Sequence, residues 1–243
     1  MIVVLASRND QAARDFTARH SSLDVRLLTP EDFCRAGWRS YRSNPDDSVA
    51  VLGEQHVSVR QISGVLTCLA TVGDWEVPET HEEDRTYVSE ELTAFLGWWL
   101  SSLPCPVLNS PAPPFLSSPC WPGERWTLLA RRLGIPAQAT HRSAKLGPQS
   151  FDPPVDRLGD SEGGLSISVI GNRCVGQIVA NSMGCHYALR LAEELGVSML
   201  VARFMRSDGG LRLVGADPWV DLTDDMVGEA VVDYLLTAKG SPT

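Results

Sequence analysis

Short apolar runs rich in β-branched residues alternate with helix-like segments in the first part of the chain. The runs IVVLAS (2–7), DVRLLT (24–29) and SVAVLG (48–53) are separated by NDQAARDFTARH (9–20) and by PEDFCRAG (30–37). Strands that alternate with helices indicate βαβ units and a mainly parallel sheet. The sequence therefore predicts an α/β domain at its start.

The clearest helix is predicted for residues 87–103. Its apolar residues recur at the helical period and form one stripe, made of Val88, Leu92, Phe95, Leu96, Trp99, Leu100 and Leu103. The stripe predicts a helix that packs its aromatic residues into the core rather than around a ligand. Residues 56–69 before it are predicted to form one strand or a hairpin. A second helix is predicted after it, ending at Gly134.

A polar stretch separates this part from the end of the chain. Residues 137–164 are rich in Ser, Pro, Gly and Asp and contain few apolar residues, which predicts a flexible linker. After it, LSISVIG (165–171) and RCVGQIVA (173–180) alternate around a Gly-Asn turn. Such a pair favours an antiparallel hairpin.

Two more strands and two helices are predicted beyond the hairpin. A helix over about 185–195 should end at Gly196, and VSMLVARFM and LRLVGAD should form strands around the turn SDGG. The last helix is predicted to begin near Thr223, whose hydroxyl would cap it.

Charge and composition narrow the classes of partner. The net charge is −9, and the Lys and Arg residues are scattered rather than clustered, so we expect no nucleic-acid partner. No apolar run approaches the roughly 18 residues of a membrane-spanning helix. The start of the chain lacks the pattern of a signal peptide, so we expect no membrane association and a cytoplasmic protein. The six dispersed cysteines are expected to be reduced thiols without a zinc site.

The stretch ANSMGCHYALRLA (180–192) is spelled like the nucleophile elbow of a serine hydrolase, with Ser182 as the nucleophile. Ala180 stands where that turn normally has Gly, and the only downstream His is His186, four residues further on. Ser182 or Asn181 is therefore interpreted as a helix cap. Cys185 and His186 are adjacent, so on a helix their side chains would point about 100° apart, a poor arrangement for a thiol and its base.

Several short motifs are carried by both halves of the chain. The first half contains Gly64-Val65-Leu66, the acidic pair Glu90 and Glu91, the run VLNSP (107–111), and GIP (134–136) followed by Thr140. The second half has the hairpin, the helix to Gly196, Asp208-Gly209 and Ala216-Asp217-Pro218. In this order the motifs resemble ATP-grasp ligases, above all the ribosomal-protein glutamate ligases and the microviridin-type peptide ligases.

The resemblance implies an α/β protein in three parts. Residues 1–110 would form an N-terminal βαβ domain like the pre-ATP-grasp domain. Residues 111–164 would be a helix and a flexible linker that replace the lid subdomain. Residues 165–243 would be a truncated, ATP-grasp-like α+β C-terminal domain.

Departures from the family pattern bear on activity. The family's nucleotide-clamping subdomain is replaced by the linker, in which Lys145 is the sole Lys. The family's metal-binding Glu falls at Gly215, its Asn at Asp217 and its upstream Asp near Ala202 or Arg203. Since phosphoryl chemistry needs carboxylates that hold Mg²⁺, we expect neither a bound nucleotide nor a metal cofactor.

These inferences lead to one function and its alternatives. The expected function is that of an ATP-grasp-derived protein without a working nucleotide site, a peptide- or protein-binding partner in peptide tailoring. The alternatives are a repurposed enzyme that uses the residual cleft, and an ATP-dependent carboxylate–amine ligase completed by a partner subunit. Homodimer formation is left open. The candidate cleft residues are Asp217, Asp221, Arg203, Cys185, His186 and Ser182.

Overall fold

The computed structural model describes residues 1–41, 47–138, 164–176, 182–207 and 210–238. Most of the predicted linker, together with Lys145, Asn181 and the Asp208-Gly209 turn, lies outside these residues. The three-part division of the chain therefore stays a prediction. No helix in the described ranges is long and apolar enough to cross a membrane.

The first part of the chain forms a four-stranded parallel sheet, as predicted, but the predicted run SVAVLG (48–53) does not join it. Its elements are β1 (Ile2–Leu5), α1 (Gln11–Arg19), β2 (Val25–Leu28), α2 (Pro30–Phe33), β3 (Val49–Leu52), β4 (Gln55–Ser58), β5 (Gly64–Thr67), α3 (Arg85–Ser102) and β6 (Val107–Leu108). The strand order is β2-β1-β5-β6, and every pair is parallel. All four residues of β1 and of β5 are buried, because both faces of the sheet are covered.

The segment predicted as one strand or a hairpin divides between two sheets. β4 pairs antiparallel with β3 around a turn at Gly53, whose φ of +60° suits glycine. β5 leaves this hairpin and joins the parallel sheet beside β1. The alternating pattern of residues 56–69 could not distinguish one strand from a hairpin, since the partner of each strand is decided by residues far away in the chain.

The second part of the chain forms an antiparallel sheet, again as predicted. Its elements are α4 (Gly123–Arg132), β7 (Gly164–Ile170), β8 (Arg173–Val175), α5 (Ser182–Leu195), β9 (Met199–Ser207), β10 (Gly210–Asp217) and α6 (Asp225–Thr237). The strand order is β10-β9-β7-β8. The architecture within the described residues is thus a mixed α/β fold with a four-stranded parallel sheet, a four-stranded antiparallel sheet and the two-stranded sheet β3-β4.

Helix ends are confirmed in part. α5 ends at Leu195, and Gly196 follows with a φ of +63°, as expected of a glycine cap. The predicted cap of the last helix is wrong by one residue. Asp224 caps α6, since its carboxylate accepts from the backbone N of Met226 (2.9 Å) and Val227 (3.4 Å). The Thr223 hydroxyl donates to Asp221 instead, at 2.6 Å.

The helix predicted over 87–103 is confirmed as α3, and Leu96, Trp99 and Leu100 are buried in the core beneath it. Trp98 points elsewhere and is 44% exposed. α3 therefore has one face in the core and another that meets solvent.

The two sheets share a hydrophobic core. Ile2 and Leu66 of the parallel sheet lie in one cluster with Met199 of the antiparallel sheet and with Val231 and Leu235 of α6. α6 approaches β5 so closely that a Cβ added to Gly64 would lie 2.8 Å from the Cβ of Leu235. The helix at the end of the chain thus packs against the strands at its beginning.

A buried amide joins the sheets at the same place. Asn109 follows β6 and is 2% exposed. Its Nδ2 donates to the carbonyl of Met199 at 2.7 Å, and its Oδ1 accepts from the backbone N of Met199 at 2.8 Å. This side chain satisfies both backbone groups of the first residue of β9.

Replacing Asn109 should destabilise the whole protein. Asn109→Ala leaves a buried N–H and a buried C=O without partners, so we expect the free energy of unfolding to fall by about 2–4 kcal/mol. Urea unfolding followed by tryptophan fluorescence measures this change. Asn9→Ala, at an exposed position, is the control and should change it by less than about 0.5 kcal/mol. Equal midpoints for the two variants would show that the amide does not join the sheets.

Candidate functional site

One face of the antiparallel sheet is covered by helices α4 and α5, and the other carries Arg203 and Asp217. Along β9, Leu200, Ala202 and Phe204 belong to the core that α4 and α5 cover. Residues between them point to the other face, because side chains alternate along a strand. A bulge between Leu213 and Gly215 shifts the alternation of β10. Arg203 is paired with Gly215 and Asp217 with Val201, which places Arg203 and Asp217 on the same face.

Arg203 and Asp217 form an ion pair on this face. Nη2 of Arg203 contacts Oδ2 of Asp217, and the two side chains are 34% and 22% exposed. The second carboxylate oxygen, Oδ1, accepts from the backbone N of Trp219 at 2.9 Å. Both oxygens of Asp217 are therefore engaged, and its charge is balanced by a guanidinium group.

The other predicted acid lies in a local turn. Asp221 is exposed, and its Oδ1 accepts from the backbone N of Thr223 at 2.9 Å and from the Thr223 hydroxyl. These contacts shape the chain before α6. They involve neither Arg203 nor Asp217.

The predicted residues of α5 lie on the opposite side of the sheet. α5 packs on the core face, where a Cβ added to Gly184 would lie 2.5 Å from Cδ1 of Ile167. Cys185 is half-buried and His186 is exposed. α5 begins at Ser182, whose side chain lies outside the described residues. Sequence reasoning placed these residues with Asp217, but the sheet separates α5 from the Arg203–Asp217 face.

Cys185 contacts another cysteine rather than His186. The thiol of Cys174, in β8, donates to the carbonyl of Cys185 at 3.5 Å. Burial and the neighbouring Cys185 raise the pKa of Cys174 to about 12. A thiol with this pKa is protonated at neutral pH and is a poor nucleophile.

Cys120 lies near Asp217, although nothing in its sequence context indicated a site residue. Burial raises the pKa of Cys120, and the carboxylate of Asp217 raises it further. Its Sγ donates to the carbonyl of Ser117 at 3.2 Å. The loop after β6 therefore places this thiol within electrostatic range of Asp217.

A small crevice lies where the end of the antiparallel sheet meets the carboxyl ends of β1 and β5. Its volume is about 230 Å³, and its lining includes Asp10, Thr67, Cys68 and Trp219. Burial raises the pKa of the Cys68 thiol, and the Asp10 carboxylate adds to this effect. The strand order reverses between β1 and β5, and open α/β sheets bind ligands at such points. The sequence by itself predicts no strand order, so this rule could not be applied to the crevice.

A larger groove follows the outer face of α3. This α3 groove has a volume of about 860 Å³ and lies between α3 and two segments, 71–74 and 111–116. The Thr93 hydroxyl accepts from the backbone N of Val72 at 2.9 Å, which fastens one wall to the helix. Sequence reasoning missed the groove because the stripe of α3 indicated only its buried face.

The described residues do not fit a magnesium site. No three His, Cys, Asp or Glu side chains within the described ranges come close enough to share a metal ion. Gly215 has no side chain to contribute, and Asp217 is paired with Arg203. A guanidinium group beside the one remaining carboxylate opposes a divalent cation electrostatically.

Comparisons with known proteins identify the fold of this chain. No protein-family model matches the sequence, and no curated protein matches it. Solved structures do match.

The macrocyclase MdnC from Microcystis aeruginosa MRC, bound with its precursor peptide MdnA, aligns with a TM-score of 0.65 and 12% identity, over 98% of this chain and 100% of its own. The ATP-grasp ligase PsnB, complexed with a phosphomimetic precursor variant, Mg and ADP, aligns at 0.63 and 12%, over 97% of each chain. A RiPP-associated ATP-grasp ligase from Chryseobacterium gregarium, in complex with ADP and a leader and core peptide, aligns at 0.62 and 10%, over 96% of each chain. The protein therefore has the fold of the ATP-grasp ligases, as its motifs predicted.

The effect of Asp217 on Cys120 can be measured directly. Asp217→Asn removes a negative charge, so the pKa of Cys120 falls and more thiolate is present at pH 8. We expect alkylation of Cys120 by iodoacetamide to accelerate about two- to fivefold. Peptide mapping by mass spectrometry follows each cysteine separately. The exposed Cys34, whose carboxylate neighbour is Glu31, serves as internal control, and Asp221→Asn as the matched variant. An unchanged rate at Cys120 in Asp217→Asn would contradict the described geometry.

Proposed function

We propose that this protein is an ATP-grasp-derived protein without a working nucleotide site, which acts as a peptide- or protein-binding partner in peptide tailoring. The observation that carries the first part is the Arg203–Asp217 ion pair. The motifs place Asp217 at a metal-binding position of the family. There it accepts from Arg203 and from the backbone of Trp219, so it offers no charge to Mg²⁺.

Gly215 strengthens this inference. It is the Cα partner of Arg203 across the strand pair, at the position where the motifs place the family's metal-binding Glu. A glutamate there could balance the guanidinium and still leave Asp217 for a metal ion. With glycine, position 215 supplies no carboxylate, and Asp217 is left as the partner of Arg203.

The second part of the proposal rests on the matched structures. MdnC was solved with a precursor peptide, and the Chryseobacterium ligase with a leader and core peptide. A chain that keeps this fold while its metal positions have changed is suited to binding a peptide without activating it. The net charge of −9 favours a basic partner over an acidic one.

The proposal also includes other expectations that the sequence raised. They are the three-part division of the chain, the absence of a nucleic-acid partner and the cytoplasmic setting. Of the candidate cleft residues, Arg203 and Asp217 are proposed to face the residual cleft, and Asp221 to lie beside it.

Nucleotide titration tests the proposal. We expect calorimetry with ATP and Mg²⁺ to show no saturable binding tighter than about 1 mM, because carboxylates for the metal ion are missing. The experiment is repeated with Arg203→Ala, which frees Asp217 but restores no second carboxylate, and this variant should also fail to bind. Micromolar binding of Mg-ATP by the unmodified protein would refute the proposal.

A phosphate-release assay separates the proposal from the ligase alternative. If ATP is hydrolysed only after a partner protein is added, the chain is a ligase subunit completed by that partner. We expect no hydrolysis in either condition.

A further inference from the structure

We propose that the α3 groove binds an extended peptide segment in which a basic side chain lies about four residues from an apolar one. This inference deepens the proposed function, on which the tailoring context rests, by naming a binding surface and the chemistry of its partner. The groove lies on the parallel-sheet side of the fold, on a helix that carries none of the candidate cleft residues.

The size and composition of the groove fit a peptide. Its volume of about 860 Å³ lies within the range of sites that bind sizeable ligands. Its lining is mainly apolar, with Trp98, Pro113 and Phe115 at the end near residue 101. Trp98 is 44% exposed although it lies on the longest helix of the described residues. A partly exposed indole beside prolines is a good surface for a peptide's apolar side chain.

The other end of the groove is acidic. Asp74 and Glu90 line it, and no basic side chain contributes to the lining within the described part of the chain. Asp74 accepts from the hydroxyls of Thr86 (2.8 Å) and Ser89 (2.9 Å), which are neutral donors and leave its charge uncompensated. Arg85 turns away and donates to the carbonyls of Pro78 (3.2 Å) and Thr80 (3.1 Å). This charge favours a Lys or Arg side chain.

The walls of the groove are already formed. Hydroxyls of α3 hold residues 72 and 74 against the helix. On the other side, the backbone N of Leu116 donates to the carbonyl of Ala70 at 2.8 Å, and Ala112 and Phe115 bond to each other through their backbones. A groove fixed in this way loses little conformational freedom when a peptide binds.

Helix geometry gives the spacing of the partner's residues. Glu90 and Trp98 are eight residues apart on α3, or about 12 Å at the helical rise of ~1.5 Å per residue. An extended peptide advances ~3.3 Å per residue, so about four residues span this distance. The basic and apolar side chains of the partner should therefore be separated by about four positions.

A small peptide array tests the proposal on the full-length protein. The probes are fluorescein-labelled heptapeptides on a Ser/Ala background, each with one Arg and one Phe placed two to six positions apart. Fluorescence anisotropy should show the tightest binding near a separation of four, with a Kd of about 10–100 µM. Replacing Arg by Glu, or Phe by Ala, should abolish saturable binding, and 0.5 M salt should weaken it, since exposed charges are screened within about 4 Å there.

Neighbouring residues of α3 provide matched variants. Glu90→Lys should weaken binding at least about tenfold, whereas Glu91→Lys, with the same change in net charge just outside the groove, should change it less than about twofold. Gly97→Leu should block the groove. Gly97→Ala is its control, because an added Cβ has ordinary contact with Leu116 at 3.9 Å. Thermal unfolding checks that each variant is folded, and the Glu90/Glu91 pair keeps the test decisive if Gly97→Leu is unstable.

Several results would overturn the proposal. They are no saturable binding by any peptide of the array, equal losses in Glu90→Lys and Glu91→Lys, or equal affinity for peptides that carry Glu instead of Arg. Self-association of the protein that is abolished by Gly97→Leu would assign the groove to a second copy of the chain and also overturn it. Each of these leaves the proposed function to be decided by the nucleotide titration.

Discussion

The connection of the two sheets depends on one buried side chain, that of Asn109. β10 ends at Asp217, opposite Val201, so it does not reach the first residue of β9. The backbone N–H and C=O of Met199 on that side would be buried without partners. Asn109 supplies both a donor and an acceptor from the loop after β6. A carboxamide offers a donor and an acceptor side by side in one plane, so this position couples the parallel sheet to the antiparallel one.

The hydrophobic core joins the two sheets at the same place as Asn109. Met199 lies in the cluster that holds Ile2, Leu66 and Leu235, so burial of apolar surface and the two amide hydrogen bonds act at one place. α6 completes this cluster from the end of the chain and covers the Ile170–Met199 end of one face of the antiparallel sheet. Arg203 and Asp217 lie beyond that end on the same face. The Arg203–Asp217 ion pair therefore lies next to the core that joins the two sheets.

Different surfaces of the protein thus carry different chemistry. The sheet face that the motifs relate to nucleotide chemistry holds Asp217 in an ion pair with Arg203, and the guanidinium weakens the attraction of this carboxylate for a cation. The α3 groove has two carboxylates, Asp74 and Glu90, and no basic side chain among the described residues that line it, beside the partly exposed indole of Trp98. A carboxylate that has no cationic neighbour within the protein can attract a basic side chain of a partner. Peptide binding is therefore assigned to the α3 groove rather than to the antiparallel sheet.

The sequence by itself determined the elements and much of their pairing. β-branched runs predicted the strands β1, β2 and β3, and the Gly-Asn turn predicted the hairpin of β7 and β8, because these signals depend on neighbours in the chain. Only the tertiary structure decided which side chains meet. It placed Arg203 on Asp217, separated Cys185 and His186 from both by the thickness of the sheet, and gave the cap of α6 to Asp224 rather than Thr223. Such contacts depend on strand register, a bulge and helix orientation, and these are decided by packing between residues far apart in the chain.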